Sequence, residues 1–218
     1  VFVDPYYGAT VQARVLLTAG NGGAPELDGT EGEVATSVGG QATFARFEVD
    51  EVDQRLGIGL SDLTVSTGSY FSVYVYRPSG GTVASTTCYQ SYAGCDLNIR
   101  APEIGTYGIV VIPENDAQTV GYRISVTNDL RRVIPRETPI ALDIPRHGQN
   151  GRLTFNGQAG ETLALQLSGQ STLPTGATVY YQVYRPDGAS LVTRGVTNSE
   201  TLNMATLPIS GEYLVFVD

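Results

Sequence analysis

Two motifs each occur twice in this chain, and the distances between their copies nearly agree. Arg77-Pro78, within YFSVYVYRPSGGTVAST from Tyr70, recurs as Arg185-Pro186 within VYYQVYRPDGASLVTR from Val179, a separation of 108 residues. The Gly-x-Tyr motif of GTYGIVVIP at Gly105 recurs in GEYLVFVD at Gly211, a separation of 106. A third repetition sets a longer period, because Val1-Phe2-Val3-Asp4 is also Val215-Phe216-Val217-Asp218. Overlapping those two copies gives a period of 214 residues, and half of it, 107, matches the internal spacing. Self-similarity at a fixed period means homologous units, and about 107 residues suffice for one core.

The overlap also joins the end of the chain to its beginning. GEYLVFVDPYYGATVQARVLLT then lies against GTYGIVVIPENDAQTVGYRISVT, with Pro5 matching Pro113, and Arg14 and Thr18 matching Arg123 and Thr127 after one deletion. The resulting expectation is one period of a longer head-to-tail assembly. Residues 1–18 supply the final strand of a second-type domain, 19–33 are a linker, and 34–128 are a complete first domain. Residues 129–139 form another linker, and 140–218 a second domain lacking its last strand. Val11, Ala13, Val15 and Leu17 are the core-facing residues of the donated strand, as Tyr122, Ile124 and Val126 are in the first domain.

Alternation such as Phe71, Val73, Val75 against Ser72, Tyr74, Tyr76 has the period of two that half-buried strands show. Similar runs fall at 43–49, 56–60, 108–112, 121–127, 152–155, 162–167 and 213–217, separated by Gly, Pro and Asp turns. Helical spacing is almost absent, so the fold class is all-β, with two tandem antiparallel jelly-roll-like β-sandwich domains. No run approaches the roughly 20 apolar residues of a membrane span. The chain has 22 acidic residues against 13 arginines, no lysine and a net charge of −9, which opposes binding to a nucleic-acid backbone or an anionic membrane.

The order of these motifs resembles the bacterial pre-peptidase C-terminal domain, twice over and across nearly the whole chain. It is carried by Phe44 or Phe155, by Leu56-Ile58-Leu60 or Leu163-Leu165-Leu167, by the Tyr-Arg-Pro turns and Gly-x-Tyr motifs, and by closing strands at Tyr122 and Ala13. The resemblance implies secreted sandwich modules that act as spacers, adhesive modules or binders of carbohydrate and protein, without catalysis. These 218 residues themselves hold no segment that reads as a protease domain.

In that secreted setting Cys88 and Cys95, with six residues between them and no counterpart in the second half, are expected to form a disulfide pinning a protruding loop. The acidic run Glu26, Asp28, Glu31 and Glu33 offers hard oxygen ligands on a Gly-rich loop, a candidate calcium site beside the alternative of a solvated acidic linker. Some relatives are thought to bind calcium near such linkers. Tyr74 with Tyr76 and Tyr180 with Tyr184 lie on the strand faces opposite the apolar series. They are a candidate contact surface for sugar rings or a neighbouring subunit, or a cover for their own sandwich edge.

Catalytic constellations are thin. The single histidine, His147, sits in a Pro-Arg-His-Gly turn without a nucleophile motif, and acid pairs such as Asp50-Glu51 lack a visible cleft. The chain therefore reads as a non-enzyme, an extracellular structural repeat whose partners are further copies of itself, with no cofactor required and calcium optional. The other class is a non-catalytic module that carries a secreted enzyme to a polysaccharide or protein polymer.

Overall fold

A computed structural model describes residue 12 and residues 22–218, and within them the chain is built of strands and loops, without a helix. No helix is long and apolar enough to cross a membrane among the described residues. Eight strands surround a first core: β1 (Gly32–Ala35), β2 (Thr43–Val49), β3 (Arg55–Val65), β4 (Tyr70–Tyr76), β5 (Thr82–Tyr89), β6 (Gly94–Arg100), β7 (Gly105–Pro113) and β8 (Val120–Asn128). They form two four-stranded sheets, β1-β8-β3-β6 and β2-β7-β4-β5.

Seven strands surround a second, separate core: β9 (Leu130–Val133), β10 (Gly151–Gly157), β11 (Ala164–Leu167), β12 (Val179–Tyr184), β13 (Ser190–Val196), β14 (Glu200–Asn203) and β15 (Gly211–Val217). Their sheets are β13-β12-β15-β10-β9 and the two-stranded β11-β14. Pairing between named strands is antiparallel except for β9 with β10. Residues 130–133, expected as linker, thus form the edge of the five-stranded sheet. All-β architecture with antiparallel sheets is what the period-two pattern required.

The repeated motifs meet in the same way in both units. Tyr107 stacks on Phe47 at 5.5 Å and its hydroxyl donates to the carbonyl of Glu103 at 2.8 Å. Tyr213 stacks on Phe155 at 5.3 Å and donates to the carbonyl of Ile209 at 2.7 Å. Both tyrosines thereby bury a ring while satisfying the hydroxyl four residues upstream, the arrangement of a tyrosine corner. The glycine two residues before each has positive φ, 128° at Gly105 and 147° at Gly211. A Cβ there would lie 3.0 Å from Pro78 or 2.8 Å from Pro186, so each Arg-Pro turn packs against its own Gly-x-Tyr start. Each unit also has a register shift just before that turn, at Val75/Tyr76 and at Val183/Tyr184.

One sequence alignment needs correction. Phe44 does not correspond to Phe155, because Phe47 pairs with Tyr107 in the register in which Phe155 pairs with Tyr213. Phe44 has the opposite parity and lies on the outer face, 40% exposed, with the Arg46 guanidinium 4.9 Å above its ring. Inward from β2 point Thr43, Ala45, Phe47 and Val49, all buried. Thr43 is tolerated there because its hydroxyl meets the buried Tyr122 hydroxyl.

The units join through the turn around His147, which lies on β3. Gly57 and Gly59 form the floor, and a Cβ on Gly59 would come within 2.1 Å of the His147 carbonyl oxygen. Ser125 Oγ donates to that same carbonyl at 2.8 Å, and Asn150 Nδ2 donates to Asn98 Oδ1 at 2.5 Å. This cover explains why Leu56 to Leu60 are buried on both faces of the strand. At this junction desolvation and repulsion from Asp218, only partly offset by His147, hold the Asp96 carboxyl above its ordinary range.

Candidate functional site

The two units differ most at the sheet that contains β3 in the first and β11 in the second. In the first unit β8 runs between β1 and β3 and places Tyr122, Ile124 and Val126 in the core at 3%, 0% and 1% exposure. With that cover in place, Leu56, Ile58 and Leu60 are at most 1% exposed. In the second unit β11 pairs only with β14 among the described residues. Leu163, Leu165 and Leu167 still face the second core, but each is only partly buried.

Among the described residues β11 is thus an edge strand, and such a strand presents alternate unpaired N–H and C=O groups beside an incompletely covered apolar row. Chemically it can accept an extended segment that supplies the complementary backbone pairs and an apolar side chain at every second residue. The core behind the edge is otherwise well formed. Val183, Tyr213 and Val215 are fully buried, and burial raises the Tyr181 hydroxyl pKa while that hydroxyl bonds Gln170 at 3.0 Å.

The expected donor residues Val11, Ala13, Val15 and Leu17 lie outside the described residues. The acidic candidates are dispersed over several contacts. Asp28 accepts hydrogen bonds from the Asn128 backbone N–H at 2.9 Å and from Asn128 Nδ2 at 2.7 Å, with Arg146 3.8 Å away. Glu31 lies 3.7 Å from Arg123, while Glu26 and Glu33 are exposed. Among the described residues no group of three or more His, Cys, Asp or Glu side chains is placed to hold a metal.

Cys88 and Cys95 are joined in a disulfide that links the end of β5 to the start of β6. Tyr74 and Tyr76 sit together on an outer face with ring centroids 6.4 Å apart. Tyr180 and Tyr184 are on the outer face of β12, Tyr180 at 52% exposure and Tyr184 donating to Gln182 Oε1 at 2.5 Å. Sequence reasoning missed the Asp28–Asn128–Arg146 contact and the glycine floor. The floor had a signal in LGIGL, where glycines alternate with core residues and so must share the opposite face.

No protein-family model matches this chain, and no curated protein matches it in sequence.

Proposed function

We propose that this chain is the structural repeat unit of an extracellular filament or surface stalk, assembled head-to-tail, with the open edge of β11 filled by residues 11–17 of the next copy or period. The single observation that carries this reading is that, among the described residues, the β11-β14 sheet has two strands where the first unit has four, with Leu163, Leu165 and Leu167 half covered. The matching of VQARVLLT to the β8 segment GYRISVT names the segment that fits. In the first unit Ile58 lies opposite Val126 and Leu60 opposite Ile124. The same register sets Leu165 opposite Leu17 and Leu167 opposite Val15, which extends the core by alternate apolar side chains.

The role is non-catalytic and requires no cofactor. In support, the only histidine is packed against Gly94 in the junction between units, where its ring fills space that a Cβ would need. The disulfide favours an oxidising, extracellular setting. The resemblance to pre-peptidase C-terminal modules, as spacers, points the same way.

Cross-linking tests the register. Gly59 lies opposite Ser125 on the face away from the core, and the equivalent pair is Gln166 and Leu16. The double variant Leu16→Cys/Gln166→Cys should oxidise to a ladder of linked chains on a non-reducing gel, and each single variant should not. A cross-linked species that stays monomeric, or no cross-link at all, refutes head-to-tail exchange. Electron microscopy of the same material should show filaments with a constant rise.

A further inference from the structure

A second feature distinguishes the first unit, on a different element. The connection from β5 to β6 reads Tyr89-Gln90-Ser91-Tyr92-Ala93-Gly94 and is bracketed by the Cys88–Cys95 disulfide. The corresponding connection of the second unit, Thr197-Asn198-Ser199, has neither cysteine nor aromatic residue. The disulfide therefore fixes a loop composed of Tyr, Ser, Gln, Gly and one Ala. Such residues give rigid amphipathic contact area and adaptable hydrogen bonds at low conformational entropy cost.

The loop is exposed but ordered by several contacts. Tyr92 is 66% exposed and Tyr89 42% exposed, their rings edge to face at 6.0 Å. Tyr70, the ladder partner of Tyr89, supports it from β4 at 5.6 Å. The Gln90 N–H donates to the Ser69 carbonyl at 2.9 Å and the Tyr92 N–H to the Tyr89 carbonyl at 3.1 Å. On the same loop Gln90 and Ser91, with Gly68 and Ser69 before β4, line a shallow depression open to solvent. Its base is propped from behind. Glu114 accepts the Ser69 N–H at 2.7 Å, and the fully buried Gln118 holds both the Glu114 N–H and the Thr67 carbonyl.

We propose that this loop is a binding site for a neutral polysaccharide, of the class of β-linked glucans and N-acetylglucosamine polymers. The depression is lined by hydroxyl, amide and glycine, the chemistry that hydrogen-bonds sugar hydroxyls, and the exposed Tyr89 and Tyr92 rings belong to the same loop. A pyranose with equatorial hydroxyls presents flat C–H faces that pack on such rings, and the phenol hydroxyls tolerate the remaining water. The Glu114 carboxylate holds the Ser69 N–H, and the chain carries −9, so an anionic polymer is disfavoured. The loop offers no aliphatic anchor beyond Ala93, which favours a sugar over an apolar peptide segment. The disulfide raises affinity by fixing the loop before the ligand arrives. This site is independent of the β11 edge, so it stands or falls separately from the filament reading.

The chain has no tryptophan, which leaves tyrosine as the emitting residue, and titration of the whole chain can be followed by tyrosine fluorescence and calorimetry. The probes are cellohexaose and chitohexaose, with polygalacturonate as the anionic comparison. Saturable binding of at least one neutral probe is expected. Tyr92→Ala should weaken it at least about tenfold and Tyr92→Phe by less than about threefold, since the ring face rather than the hydroxyl is the contact. Tyr89→Ala should weaken it similarly, with an unchanged circular dichroism spectrum for each variant. Binding of neither neutral probe, stronger binding of polygalacturonate, or neutral-probe affinity unaltered in Tyr92→Ala would overturn the assignment.

Discussion

The contrast between Ile58 and Leu165 offers a direct measure of the open edge. Both point into a core from equivalent strands, but Ile58 is 0% exposed behind β8, while Leu165 is only partly buried. Truncation to alanine removes about three carbon groups, each worth about 0.8 kcal/mol in transfer from water when fully buried. For Ile58 the surrounding sheets cannot collapse onto the void, so a cavity cost adds to the transfer loss and the total should be about 4 kcal/mol. For Leu165 part of the transfer is already forfeited to solvent and the void opens outward, so about 1.5 kcal/mol is expected.

Filling the edge should remove that difference. In assembled material Leu165→Ala should approach the Ile58 value, which means that the substitution weakens assembly by about 2.5 kcal/mol, or roughly seventyfold in association constant. The assay is urea unfolding of the unassembled chain for each variant, followed by sedimentation of the assembled form across a concentration series. An equal cost for the two variants in the unassembled chain would refute the idea that β11 lacks cover. Unaltered assembly by Leu165→Ala would refute its completion by a partner strand.

The junction and the buried phenol give two further expectations. Gly59→Val should expel the His147 turn while leaving both cores intact, because the new side chain meets a backbone carbonyl within 2.1 Å on the face away from the core. Trypsin, which can cut this lysine-free chain only at arginine, should then cleave after Arg146 faster than in the parent; unchanged protection refutes the docking. Burial pushes the Tyr122 hydroxyl up to about 12, against a partial opposing effect of its bond to Thr43. The folded state thus favours the neutral phenol, a contribution fully present below pH about 10 and lost as pH rises toward 12, worth about 3 kcal/mol. Absorbance of tyrosinate and circular dichroism should change together over that range. Ionisation of Tyr122 near pH 10 with the fold retained, read as the difference from Tyr122→Phe, would contradict it.

How far the fold could be read from sequence depended on whether a feature is written in side chains or in backbone. The Arg-Pro and Gly-x-Tyr repeats were legible because a proline, a positive-φ glycine and a tyrosine must meet, and few other residues can replace them. Strand faces were legible from alternation, as at Val73 and Val75. Register between strands was not, so Phe44 was matched to Phe155 although Phe47 is its counterpart. Both phenylalanines fit an alternating strand, and only pairing with Tyr107 decides which is inside. The strand at 130–133 escaped notice because Arg131 and Arg132 are held there by backbone bonds to β10, which impose no side-chain pattern. The half-covered leucines were not foreseeable residue by residue, since Leu163-Leu165-Leu167 reads like Leu56-Ile58-Leu60 until the neighbouring strand is counted.

The same comparison explains why the two outer sheet faces cannot serve the same purpose. Gly57 and Gly59 leave room for the His147 turn where a Cβ would collide with it, whereas their equivalents in the second unit, Ala164 and Gln166, carry side chains and are exposed. The second unit therefore cannot receive a following turn in the way the first does. The segment entering the first unit is anchored differently. Leu27 bridges Val126 in parallel, the Asp28 N–H donates to the Val126 carbonyl at 2.9 Å, and the Asp28 carboxylate caps Asn128. Asp28 adopts φ 56°, a conformation acidic and amide residues tolerate better than most, and Arg146 from the leaving segment donates to its carbonyl. Entering and leaving segments are thus tied to each other through one aspartate. The acidic residue that suggested a calcium ligand in sequence has its oxygens directed at an amide and a guanidinium, and what it holds in place is the path of the chain through the first unit.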